Sequence, residues 1–131
     1  ADDALVLLAG VDTQVFHGYV NCGARGAITG IGNCLPTEVF HYLKLCGHAA
    51  AGDAEARRFA KELEQALLVL SIFDEGPDLV LYYKYILLLL GDSDYELNFN
   101  ETDQLSKSQR GYAEIQLKLF QKWWDNWAGK P

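Results

Sequence analysis

Positive charge is scarce in this sequence: 11 lysines and arginines stand against 18 aspartates and glutamates, for a formal net charge of −7. No run of Lys or Arg reaches four. Nucleic acid and anionic membrane surfaces both call for a basic footprint, so neither is expected as a partner. Long apolar runs are lacking as well. The most apolar stretch, LVLYYKYILLLL over 79–90, is interrupted by Lys84. It falls far short of the roughly 20 residues that a membrane span needs. No positively charged leader precedes an apolar run at the start, so no secretion signal is expected. Cysteine is sparse: Cys22, Cys34 and Cys46 form an odd set without CxxC spacing. That fits a reducing compartment better than a disulfide framework, and a cytoplasmic protein is expected. His17, His41 and His48 lack HxxxH spacing and have no evident carboxylate pairing, so no metal site is expected.

What is present suits a single domain. The chain has 131 residues, of which 50% are hydrophobic, enough for a sizeable core. Leu5-Val6-Leu7-Leu8-Ala9 is a continuous apolar run ending at Gly10, the pattern of a strand buried on both faces. Residues 13–22 read as a short helix, with Gly23 as its C-cap. Gly26 to Ile31 reads as a second short strand. Strand, helix and strand within about 30 residues make a parallel βαβ unit. Beyond Asn33 the pattern is helical throughout. Pro36 sits in a first helical turn, and Val39, Phe40, Leu43 and Cys46 give residues 37–50 an apolar face. Asp53 is placed to cap a helix over 54–73 with a buried stripe of Ala56, Phe59, Ala60, Leu63, Leu67 and Leu70. After the Gly76-Pro77 break, residues 78–90 are apolar enough for a helix enclosed on most sides. A polar loop covers 91–104. Ser106 then caps a last helix to about Trp127, whose broad apolar face holds Tyr112, Ile115, Leu119, Phe120, Trp123, Trp124 and Trp127.

Two parallel strands cannot by themselves bury both faces and both edges. An isolated two-stranded ribbon is marginal at best. Strands of the buried type therefore require neighbours. Either another chain supplies them, or the two strands are the last of a longer barrel.

The segment AGVDTQVFHGYVNCGARGAITGIGNCLP, residues 9–36, carries a specific resemblance. Gly10-Val11-Asp12 is similar to the Gly-x-Asp turn that ends strand seven in the dihydrodipicolinate synthase and N-acetylneuraminate lyase family. Gly23-Ala24-Arg25-Gly26-Ala27-Ile28-Thr29, followed by Asn33 and Pro36, resembles the family's Gly-x-x-Gly-x-Ile-[Ser/Thr/Gly] strand eight. Gly52-Asp53 and Glu55-Ala56-Arg57 fit the helix after the barrel. The resemblance implies an α/β fold, the C-terminal part of a (β/α)8 TIM barrel. Residues 1–50 would supply its last two strand–helix units, and residues 51–131 a helical C-terminal extension. It further implies a homo-oligomer, commonly a tetramer, and no cofactor.

The chemistry implied is a Schiff base between a lysine and a 2-oxo acid, the protonated imine acting as an electron sink. The family's lysine precedes the Gly10 turn by about one strand–helix unit. Here the first lysine is Lys44, and Lys44, Lys61 and Lys84 all fall on helices. The catalytic lysine is thus expected outside this chain, and no catalytic residue within it. The substrate-binding residues implied are Gly10, Asp12, Ile28, Thr29 and Gly30. In sialic-acid lyases the residues matching Gly10 and Asp12 contact the sugar-like tail. The alternative for Asp12 is a helix cap, which any βα unit needs. Ile28 matches a residue whose backbone carbonyl faces the lysine, though ordinary core packing suits it equally. Thr29 and Gly30 lie at the same strand end. Gly30 stands where a serine binds substrate hydroxyls, which disfavours a long polyhydroxy substrate. Arg25 reads as structural, and the glycines from Gly23 to Gly30 lack the following helix N-terminus that a phosphate cradle needs.

The run from Leu79 to Trp127, including Leu105-Ser106-x-Ser108-Gln109-Arg110 and Trp123-Trp124, is more similar to 1-pyrroline-4-hydroxy-2-carboxylate deaminases than to typical dihydrodipicolinate synthases. The family's Asn-Pro-x-Pro-x-Lys is replaced here by Gly76-Pro77 through Lys84. The substrate implied is a 2-oxo acid or a cyclic imino acid, with 2-oxo-3-deoxy-sugar-acid aldolases and dehydratases also open. A non-catalytic subunit or scaffold derived from the same fold is the competing expectation.

Overall fold

The computed structural model describes residues 4–131, so the first three residues of the expected 1–50 unit lie outside the described residues. Five helices dominate it: α1 (Val15–Cys22), α2 (Pro36–Ala50), α3 (Ala54–Ser71), α4 (Leu79–Leu89) and α5 (Lys107–Asn126). The strands are β1 (Leu8–Ala9) and β2 (Gly26–Ala27), two residues each. They pair in parallel with Leu8 opposite Gly26 and Ala9 opposite Ala27.

This overturns the expectation of a TIM-barrel part. The expected strands were 5–9 and 26–31, yet among the described residues the sheet is a two-residue ribbon and the rest is helix, turn or loop. The physical reason lies at the end of β2. The backbone N–H groups of Gly30 and Ile31 donate to the Asp12 carboxylate, at 2.9 and 3.0 Å, and not to a neighbouring strand. The chain then winds into a 3-10 turn over Ile31–Asn33. Pairing continues only by single bonds at each end: Arg25 N donates to Leu7 O at 3.0 Å, and Ile28 N to Ala9 O at 2.8 Å.

The βαβ connectivity does form. Helix α1 crosses between the strands and ends at Gly23, whose φ of 74° is the left-handed conformation that a side chain disfavours. Asp53 caps α3, its side chain accepting from Ala56 N at 2.9 Å. The expected α3 stripe is buried through Ala56, Ala60, Leu63, Leu67 and Leu70. Helix α3 packs on both α2 and α5, and α4 packs on α5. One apolar cluster runs from Val15 through Ile31, Tyr42, Cys46, Leu63, Leu70 and Ile86 to Phe120.

The faces of α2, α4 and α5 differ from expectation: Phe40, expected on the apolar face of α2, is 67% exposed, and α2 buries Tyr42 and Leu45 as well as Val39 and Cys46. Helix α4 buries only Tyr83 and Ile86 of its apolar run, and Val80 and Leu89 are exposed. Helix α5 buries Ala113, Leu117 and Phe120, while Tyr112, Ile115 and Leu119 face outward, Ile115 at 66% exposure. The spacing of four and three residues between Ala113, Leu117 and Phe120 is one helical stripe. The apolar residues of α5 extend beyond that stripe, so part of the face has no cover. No helix among the described residues is long and apolar enough to cross a membrane.

Helix α5 starts with a reciprocal cap. Gln109 N donates to Ser106 Oγ at 3.2 Å, and Ser106 N donates to Gln109 Oε1 at 2.8 Å. Ser106→Ala leaves the first of these donors to water and is expected to lower stability by about 1 kcal/mol. A shift of the urea midpoint without a change in slope would register it.

Candidate functional site

The five residues singled out from the sequence meet where β1 and β2 end. Gly10 follows β1 and is exposed. Ile28 follows β2, joined to Ala9 by its backbone N–H, and is 67% exposed. Thr29 and Gly30 are half-buried beside it, and Asp12 is 7% exposed. A Cβ on Gly10 would meet nothing within 4 Å, so this side of the strand pair is open.

Asp12 is the pivot. It opens a 3-10 turn, Asp12–Gln14, that makes no side-chain cap. Neither does it cap α1. Its carboxylate reaches across the strand ends to the N–H groups of Gly30 and Ile31. The helix-cap expectation for Asp12 is therefore corrected: the donors it satisfies belong to the following strand and turn. Behind it stands Asp74, from the turn Ile72–Glu75 after α3, which accepts from Tyr83 Oη at 2.8 Å. Burial pushes the Asp12 carboxyl above the ordinary carboxylate value, and the charge of Asp74 adds to the rise. The two backbone N–H bonds pull the other way. The Tyr83 hydroxyl is pushed up by burial and by its bond to Asp74. Cys34 Sγ donates to Tyr83 O at 3.3 Å and ties the same corner to α4.

A second polar pair lies next to the first. Tyr42 Oη donates to Glu64 Oε2 at 2.6 Å and accepts from Phe16 N at 3.1 Å. Asp12, Thr13, Thr29, Tyr42, Glu64 and Ser71 line one small cavity of about 10 Å³. That is room for about one water and no more. As packed, the Asp12 carboxylate is a clasp that shapes the open strand ends, and a ligand there would meet Gly10, Ile28 and Thr29 first.

Asp74, Tyr83, Tyr42 and Glu64 were not singled out from the sequence as site residues. Phe73-Asp74-Glu75-Gly76-Pro77 looks like a polar turn, and Tyr83 looks like one apolar residue among many. Only the fold brings Asp74 to Asp12, and no local spacing could have announced it.

Nucleophiles are not evident here. Burial pushes the Cys34 and Cys46 thiols up to about 12, far from thiolate formation at neutral pH. No lysine lines the Asp12 cavity. Among the described residues no three His, Cys, Asp or Glu side chains converge as a metal centre would.

The class these features define is a mainly helical unit carrying a short parallel strand pair, with a buried carboxylate clasp where the strands end. No family model matches the chain, and no curated protein matches its sequence.

Proposed function

We propose that this chain is the substrate-side portion of a Schiff-base-forming lyase acting on a 2-oxo acid or a cyclic imino acid, with the imine-forming lysine outside it. The observation that carries this reading is the shared position of Gly10, Asp12, Ile28, Thr29 and Gly30 at one open end of the strand pair. Leu8 and Val11 beside that end are exposed, and so are Leu5, Val6 and Leu7 leading into β1, Leu5 at 79%. Exposed apolar surface of this kind marks a place where more polypeptide packs. In the proposed reaction a lysine amine attacks the ketone carbon of an oxo acid with loss of water, or the C=N carbon of a cyclic imino acid with release of the ring nitrogen as an amine, and the protonated imine then accepts electrons from the bond that breaks. Gly10 lets a substrate approach the backbone. Asp12 holds the Gly30–Ile31 turn, and so sets where the Ile28 carbonyl points. Deamination of 1-pyrroline-4-hydroxy-2-carboxylate is the first substrate to try. A cytoplasmic homotetramer without a cofactor completes the reading.

Borohydride trapping tests it. The protein as its gene encodes it is incubated with pyruvate and sodium borohydride, then digested and mapped by mass spectrometry. A reduced adduct on a lysine other than Lys44, Lys61 and Lys84 and outside residues 1–131 is expected. An adduct on a lysine of this segment, or none anywhere, overturns the proposal. The closed cavity beside Asp12 favours one competing reading, a non-catalytic scaffold. Absence of any adduct is the result that reading requires.

A further inference from the structure

Two cations, Lys84 and Arg110, line one pocket far from Asp12 in the sequence. Helix α4, the Ser93–Glu96 turn, the loop after it and the first turn of α5 line a half-open cavity of about 290 Å³. Leu81, Leu88 and Leu105 supply apolar walls, and Lys84 and Arg110 supply two cations. Lys84 Nζ donates to the Leu97 carbonyl, which spends one of its three protons and holds the loop closed. Arg110 makes no ion pair: among the described residues the ion pairs are those of Arg58 with Glu55 and Glu62. What sets Lys84 and Arg110 apart is that both line one pocket, beside three leucines. Glu114, one turn beyond Arg110 on α5, accepts from Tyr85 Oη. Glu96 is the one carboxylate among the lining residues, so cations outnumber it there.

We propose that this cavity binds a small organic acid with one carboxylate and an apolar body, the carboxylate set against Lys84 and Arg110 and the body against the three leucines. The volume lies at the lower end of ligand pockets, which fits a small acid and not a nucleotide. Lys84 and Arg110 offer charge-assisted donors, the stronger kind of hydrogen bond. With Glu96 on the rim, a second carboxylate on the ligand is repelled. None of the residues lining this cavity lines the one at Asp12. Its failure therefore leaves the lyase reading untouched, and the reverse holds too.

Benzoate and benzyl alcohol are the probes, two ligands of similar shape that differ in charge. Methyl-labelled protein is titrated with each and followed by NMR. Benzoate is expected to shift the methyl signals of Leu81, Leu88 and Leu105, with an affinity that falls as salt is added. Benzyl alcohol is expected to bind about tenfold more weakly. Arg110→Gln, at an exposed position on α5, is expected to lose about tenfold in benzoate affinity and nothing for the alcohol. The same spectra show whether the variant is folded. Equal binding of the two probes, unchanged benzoate affinity in Arg110→Gln, or no shift at the three leucines each overturns the proposal.

Discussion

Asp12→Ala is expected to cost about 2–4 kcal/mol of stability, because it strips the acceptor from two backbone donors at once. Gly30 N and Ile31 N both point at this carboxylate, and Asp12 is 7% exposed, so water cannot readily replace it. Each unsatisfied buried donor costs roughly 1–3 kcal/mol. Asp12→Asn keeps one oxygen and is expected to lose about half as much. Denaturant midpoints for the two variants against the parent check both values. A loss under about 1 kcal/mol for Asp12→Ala would mean that the turn finds other acceptors and that Asp12 is no clasp.

The same carboxylate makes stability depend on pH, with a definite sign. Its folded pKa lies above the ordinary 3.8, chiefly from burial and then from Asp74. Between the unfolded and folded values the folded state binds more protons than the unfolded one. Stability therefore falls as pH rises through that window. The favourable contribution is fully present below the unfolded pKa and is lost once the pH passes the folded one. Asp12→Asn, which cannot ionise, is expected to flatten this part of the profile. Denaturation of both proteins from mildly acidic to neutral pH measures the difference. A parent profile that rises with pH across the window, or one that Asp12→Asn leaves unchanged, sinks the assignment.

Much of the local structure was legible in the sequence because local chemistry decided it. Gly23 ends α1, Asp53 caps α3 and Ser106 caps α5, each through contacts within a few residues. The α3 stripe was legible because it alternates with charge, Glu55, Arg57, Arg58 and Lys61 taking exposed positions. The strands were not. Leu5 to Ala9 is apolar enough for a doubly buried strand, yet ladder length depends on long-range partners, and the Asp12 carboxylate claims the donors of Gly30 and Ile31. Helices α4 and α5 failed for a different reason. When a helix is apolar nearly all round, periodicity no longer says which side meets the core. The resemblance over residues 9–36 pointed to a barrel that the described residues do not form. It still singled out five residues that meet at one end of the strand pair, but not the Asp74–Tyr83 pair behind them.

Gly30→Val is expected to be as damaging as Asp12→Ala, at about 3 kcal/mol, and for a purely steric reason. The backbone of Gly30 is right-handed, with φ −73° and ψ −50°, so a side chain meets no conformational strain there. What forbids one is the neighbour. A Cβ at Gly30 would press into the Asp74 carboxylate and stand 2.9 Å from a ring carbon of Tyr83. Asp74 has little freedom to withdraw, since Tyr83 Oη holds one of its oxygens and Asp12 lies beside it. Gly30→Ala should therefore already destabilise, by less than valine does. In an Asp74→Ala background its cost should shrink, giving a coupling of about 1 kcal/mol or more between the two sites. Strict additivity would acquit Asp74 as the obstacle, and a neutral Gly30→Ala would dissolve the close packing altogether. Gly30→Ser carries the same Cβ into the same carboxylate. It is expected to loosen the corner and not to add a binding group. Gly30 is thus fixed by the packing of Asp74 and Tyr83.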